Sequence, residues 1–347
     1  MVTLFKSDFY QVDLFQSGNR NLAVTFTEAG NRTLEGNGFG GSFLSKYNFD
    51  VLAIKSNRDN WYSDLPLEIL AGIDDIIAKT NDQYDHRVGY GSSMGAYAAM
   101  LFSRRLNLNV VLAISPQYDI AQNWDQRWKH RLGEVGRISA MSSEHVSSSC
   151  KYFVVYDPYD LDALHRKYFE EVIADGNFFA IKVPFAGHPA GYLLRDLKAL
   201  EVLASSILVK SEPDKNWSLN IRQKRGQSTL YLMNFARHLF QKKKYRWAER
   251  IADRVLQEKP RDAEVYIFKS LLAEKLCFFD KAMNYAAIAI AINPQHPSMH
   301  IQLARMLSAI SLHSSARVYI DRAVELGSGN QNIVNMRNQI IAAAEKG

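Results

Sequence analysis

Ser93 stands at the centre of Gly91-Ser92-Ser93-Met94-Gly95, a Gly-x-Ser-x-Gly spacing with an apolar run directly after it. That spacing places a hydroxyl at the tip of a sharp strand-to-helix turn, with small residues at 91 and 95 where side chains would crowd it. A serine hydroxyl becomes a nucleophile only when a neighbouring base takes its proton. The base is expected to be a histidine, and a carboxylate must orient that histidine and stabilise it once charged. His188 lies in Pro184-Phe185-Ala186-Gly187-His188-Pro189, just beyond the apolar run 178–183. Of the nine histidines it alone has this placement. The acid is expected from Asp157-Pro158-Tyr159-Asp160-Leu161-Asp162, which follows the run 152–156. Asp160, a few residues past the strand end, is favoured. Asp157, which would otherwise cap the turn, and Asp162, which would otherwise cap a helix over 163–172, are the alternatives. His165 falls inside that helix and reads as structural.

Acyl transfer also needs donors for the developing oxyanion. The backbone N–H of Met94 is the natural first donor. Ala29 or Gly30, after the first buried strand, is preferred over Gly40 or Gly41 as the second. Arg58 and Trp61, after the second strand at the same end of the sheet, are candidate substrate-binding residues. Tyr118 and Asp119, after the run 109–114, are weaker ones. For these loops, packing on the turn is the competing role.

The elements that must hold these groups can be read from the apolar runs. Residues 22–27, 51–55, 87–90, 109–114, 152–156 and 178–183 are short and β-rich, and continuous rather than alternating. Continuous runs suit strands covered on both faces of a parallel sheet. Leu67–Lys79 and Met94–Arg105 have helical spacing between them, and Pro66 suits the start of the first. Residues 3–14 add one or two edge strands. The expected class is α/β, a doubly wound, mostly parallel sheet over residues 1–209. Residues 210–228, polar and containing Pro213, read as a linker.

From residue 229 the grammar changes. Ala248, Ala282 and Ala316 recur at intervals of 34, as do Val255, Ala289 and Ala323, and Ala236, Ser270 and Ala304. Pro260 and Pro294 end the first two units. Small residues at fixed offsets let paired helices approach closely. The pattern resembles the tetratricopeptide repeat, although the tryptophan and glycine expected in that repeat's first helix are absent. Repeats are expected over about 229–262, 263–296 and 297–330, with a capping helix at 331–345.

The chain has 347 residues, 47% of them hydrophobic and 22% charged, the composition of an ordinary globular protein. No apolar run reaches the ~18–20 residues of a membrane span, and the N-terminus lacks the apolar block of a secretory signal. The two cysteines suggest no disulfide framework, so a cytoplasmic location is expected. Residues 215–347 carry 21 Lys/Arg against 10 Asp/Glu, and residues 1–214 carry 21 against 26. This asymmetry fits either an acidic partner or the solvated faces of helical repeats. No nucleic-acid motif accompanies the charge.

With the serine turn, the strand order and the loop histidine in place, residues 1–208 resemble an α/β-hydrolase. The resemblance implies a serine hydrolase acting on an ester or thioester through an acyl-enzyme, with no cofactor. Ser93 would be nucleophile, His188 general base and acid, and Asp160 its orienter. The polar loop at Arg58 and Trp61 tilts the expected substrate towards a small polar ester or acylated sugar. The first strand lacks a His-Gly oxyanion motif, and only about 37 residues separate the runs 109–114 and 152–156, so no large lid is expected. The alternative is a non-catalytic interaction protein, in which the repeats bind a partner or self-associate beside a degenerate hydrolase domain.

Overall fold

The computed structural model describes residues 1–79, 83–133, 141–327 and 331–344. They divide into two compact units, Met1–Ser228 and Thr229–Gly347.

The first unit is built on eight strands: β1 Val2–Lys6, β2 Tyr10–Phe15, β3 Asn21–Phe26, β4 Phe49–Ser56, β5 His86–Ser92, β6 Val110–Ile114, β7 Lys151–Tyr156 and β8 Phe178–Lys182. They form one sheet in the order β1-β2-β4-β3-β5-β6-β7-β8. β1 with β2 and β2 with β4 pair antiparallel, and every later pairing is parallel. The two edge strands expected in residues 3–14 are thus the antiparallel end of a mixed sheet. Side chains alternate between the faces of a strand, and all five residues of β6 are buried. Both faces are therefore covered there, which is why the run reads as unbroken apolar sequence. β8, at the edge, buries only Ile181.

The helices of this unit are α1 Gly41–Lys46, α2 Leu67–Lys79, α3 Met94–Leu101, α4 Asp162–Val172, α5 Gly191–Asp196, α6 Leu200–Lys210 and α7 Trp217–Lys224. α3 packs on β3, β5 and β6, and every one of its residues is buried. It is shorter than the expected 94–105 because the chain leaves the helix at Phe102. The expected linker 210–228 is a folded part of this unit. Asp214 N donates to Ser206 Oγ (3.0 Å), and α7 buries Trp217 and Ile221. Two apolar side chains a turn apart outweigh the polar composition around them.

The second unit is a run of helical hairpins: α8 Thr229–Gln241 with α9 Tyr245–Glu258, α10 Ala263–Lys275 with α11 Phe279–Ile292, and α12 Pro297–Ala309 with α13 His313–Leu326, followed by α14 Gln331–Ala344. The hairpins coincide with the three 34-residue units, and α14 with the capping helix. Residues 328–330 and 345, the ends of those two expected segments, lie outside the described residues. All nine residues of the three small-residue triplets are buried, each at 0% exposure. Ser270 keeps its place among alanines because its hydroxyl donates to Ala282 O (2.7 Å) across the hairpin. Asp262 caps α10, accepting from Glu264 N and Val265 N.

The turn inside each hairpin has its own period. Lys243, Cys277 and Ser311, spaced by 34, adopt φ of +58°, +63° and +63°. A left-handed backbone costs an L-residue ~1–2 kcal/mol, only part of which glycine loses again through its greater chain entropy. Cys277→Gly and Ser311→Gly are each expected to stabilise the repeat by about 0.5–1 kcal/mol. The check is the urea midpoint of the full chain followed by helical circular dichroism, with Ser311→Ala giving no gain.

Candidate active site

β5 ends at Ser92 and α3 begins at Met94, so the chain reverses within one residue. Ser93 takes φ +52°, ψ −119°, a conformation rarely tolerated outside glycine. It is held there by Ser93 N donating to Ile114 O (2.8 Å) and Tyr97 N donating to Ser93 O (3.1 Å). The flanking glycines are needed for space. A Cβ on Gly91 would lie 2.4 Å from the backbone carbonyl of Gly95, and one on Gly95 would lie 2.4 Å from Phe26 O.

Beyond β8, the loop 184–190 brings His188 to this corner. Ser93 Oγ lies 3.0 Å from His188 Nε2. His188 Nδ1 lies 3.0 and 2.9 Å from the two carboxylate oxygens of Asp162. Asp162 accepts from Nδ1–H, which leaves Nε2 as the free base towards the serine.

The carboxylate that meets His188 is therefore Asp162 and not Asp160, the expected residue. Asp162 is the first residue of α4 and is 1% exposed. Burial pushes its carboxyl up, but the charge and N–H of His188, the Arg127 guanidinium and the Ser115 hydroxyl together hold it below the usual carboxylate range. Asp160 instead accepts from Arg127 Nη1 (2.5 Å) and from Asp162 N (3.3 Å) at the turn into α4. Asp157 anchors the histidine loop, accepting from Tyr159 N (2.9 Å), Phe185 N (3.0 Å) and Gly187 N (2.9 Å). Burial raises its carboxyl above the usual range against the pull of these three donors.

Arg127 joins this cluster to a second one. Its Nη1 reaches Asp160 and Asp162 (3.0 Å), while its Nε and Nη2 reach Asp125. Asp125 lies 2.9 Å from His165 Nε2, and both side chains are fully buried. His165 is thus structural, as its place inside α4 predicts.

Other expected site residues fall elsewhere. Gly30 N donates to Asp59 Oδ1 (2.7 Å), so it is not free to serve an oxyanion. Met94 N lies in the first turn of α3, where N–H groups have no intrahelical acceptor. The end of β3 runs against the start of α3: a Cβ on Gly95 would lie 2.4 Å from Phe26 O and 3.1 Å from Thr27 O, two residues before Ala29. Arg58 turns away, paired with Asp64 and lying 4.9 Å from the Phe9 ring centroid. Tyr118 donates to Met141 O (2.9 Å) and stacks on Tyr168 (5.1 Å between centroids), a packing role. Trp61 does reach the site, as a wall. It is 1% exposed, and its ring centroid lies 5.6 Å from that of Trp128, which stands edge-on to His188 at 5.2 Å.

Gln117 is the site residue that sequence reasoning missed. It is fully buried, three residues past the end of β6. Its Oε1 lies 3.1 Å from Ser93 Oγ and its Nε2 2.9 Å from His188 Nε2. Trp61 Nε1 donates to the same Oε1 (3.3 Å). The available signal was positional: a polar residue close behind a strand next to the serine turn. Ser93 itself is 5% exposed. The arrangement can move a proton from Ser93 to His188 while the hydroxyl oxygen attacks an electrophilic carbon.

No protein-family model and no curated protein matches the chain. Among solved structures it is similar to the first TPR domain of Spaghetti (RPAP3) bound to an HSP90 peptide, at 19% identity over 34% of this chain and 96% of that one, with a TM-score of 0.33. It is also similar to the TPR2B domain of yeast Sti1 in a complex with pHsp70, at 20% identity over 35% and 97%, TM-score 0.31. A third is the Sgt2 TPR domain from Aspergillus fumigatus, at 14% identity over 34% and 82%, TM-score 0.32. No helix among the described residues is long and apolar enough to cross a membrane.

Proposed function

We propose that residues 1–228 are a serine hydrolase of the α/β-hydrolase type that cleaves a carboxylic ester or thioester through an acyl-enzyme. The observation that carries this reading is the unbroken sequence of contacts from Ser93 Oγ through His188 to Asp162. Ser93 Oγ attacks the carbonyl carbon as His188 Nε2 takes its proton, and Asp162 stabilises the imidazolium. The carbonyl oxygen becomes an oxyanion that accepts from Met94 N, with Ala29 N as second donor. His188 returns the proton to the leaving oxygen or sulfur. It then activates water against the acyl-serine.

A fluorophosphonate probe should label the wild type and not Ser93→Ala. His188→Ala should lower turnover of a p-nitrophenyl ester by at least ~100-fold, the scale of a lost general base. Ester turnover that survives Ser93→Ala and His188→Ala unchanged would reject catalysis at this site and leave the other reading, a scaffold protein beside an inactive domain.

An interaction role for residues 229–347 stands on a separate observation. Trp247 and Val318, on the second helices of their hairpins, are 61% and 67% exposed, and the unit carries the chain's basic excess. Stacked hairpins of this kind offer extended surfaces for a protein partner or a second copy. Pull-down with the full chain, compared with Trp247→Glu, tests it; capture that survives the substitution unchanged places the contact elsewhere.

A further inference from the structure

We propose, resting on the hydrolase reading above, that Gln117 is a latch: its carboxamide bridges Ser93 and His188 in the resting protein and must be displaced before the serine can react. An indole N–H only donates, so the atom 3.3 Å from Trp61 Nε1 has to be the carbonyl oxygen of Gln117. The amide nitrogen then faces His188 Nε2 at 2.9 Å. Since Nδ1–H of His188 is taken by Asp162, Nε2 carries a single lone pair and no proton.

Two donors compete for that lone pair, the Ser93 hydroxyl at 3.0 Å and the Gln117 amide at 2.9 Å. If the serine takes it, the buried amide proton facing the ring is left unpaired. If the amide takes it, the serine hydroxyl turns to Gln117 Oε1 at 3.1 Å and each group on the triangle has a partner. Buried polar groups favour the fully satisfied arrangement. In that arrangement the serine proton points at a carbonyl oxygen, which is no base. The carboxamide also fills the space beside Nε2, where a leaving group has to receive its proton. Trp61 and Trp128 pack around the same triangle and leave Ser93 5% exposed. Trp61 is the anchor of the latch, because its N–H fixes the orientation of the amide.

The test is the second-order rate of Ser93 labelling by a fluorophosphonate probe on the full chain, with Ser93→Ala as the blank. Gln117→Met keeps the side-chain length and removes its hydrogen bonds with Ser93 and His188, together with the one from Trp61. It is expected to label about tenfold faster than wild type, the scale of one to two net hydrogen bonds. Trp61→Phe, which removes the anchoring N–H along with part of the buried ring, should accelerate labelling by about threefold. Damage to packing would slow labelling, so the sign separates a latch from a structural role. If wild type labels and both variants label no faster, the latch is overturned and the hydrolase reading stands. If neither wild type nor either variant labels, both are overturned.

Discussion

Asp162→Asn is expected to lower ester turnover by about 10³–10⁴-fold, while Asp160→Asn leaves it near the wild-type value. The asymmetry follows from the competition at residue 162. The native carboxylate serves several donors at once, Nδ1–H of His188, Nη1 of Arg127 at 3.0 Å and the Ser115 hydroxyl. An asparagine has one acceptor oxygen. Arg127 cannot lose its proton, so it claims that oxygen and turns the amide N–H₂ towards the imidazole. His188 then accepts at Nδ1 and carries its proton on Nε2, the wrong tautomer for taking one from Ser93. Asp160 touches Arg127 and the first turn of α4 but not the ring. Steady-state rates for the two variants are the check; equal losses would mean that the carboxylate cluster acts as one charge.

Gly91→Ala and Gly95→Ala should each cost about 3 kcal/mol or more of stability, measured as a fall in denaturation midpoint. In both cases the added methyl lands 2.4 Å from backbone atoms, not from a side chain that can swing aside. To relieve either clash, α3 must move off β3 or β5, which pulls Ser93 away from His188. Gly72, in α2, is the control. A Cβ there meets nothing within 4 Å, so Gly72→Ala should stabilise by about 0.5–1 kcal/mol.

What the sequence disclosed and what it withheld divide on physical lines. The serine turn was legible because steric exclusion at 91 and 95 leaves glycine as the residue that fits. The repeat was legible because close helix approach demands small residues at a fixed interval. His188 was legible because it is the one histidine in the loop directly after the last strand. The choice among Asp157, Asp160 and Asp162 was not, since it depends on where α4 takes up its first turn, and three carboxylates in six residues satisfy the same spacing. Arg58 and Tyr118 were misplaced because the end of a strand fixes where a loop lies, not which way its side chains turn. The run 210–228 looked like a linker because average polarity hides two anchoring side chains, Trp217 and Ile221. Gln117 gave no compositional sign, since its importance lies in three contacts made across the sheet's end.

Asp157 and Asp162 sit on one short crossing between β7 and α4, the first tethering the histidine's loop and the second gripping its ring. Any change in the length of that crossing detunes both at once. A designer wishing to graft a reporter or recut the termini of this unit should spare residues 157–162 and use the exposed bend between β1 and β2 at Ser7–Phe9, whose displacement leaves this crossing untouched.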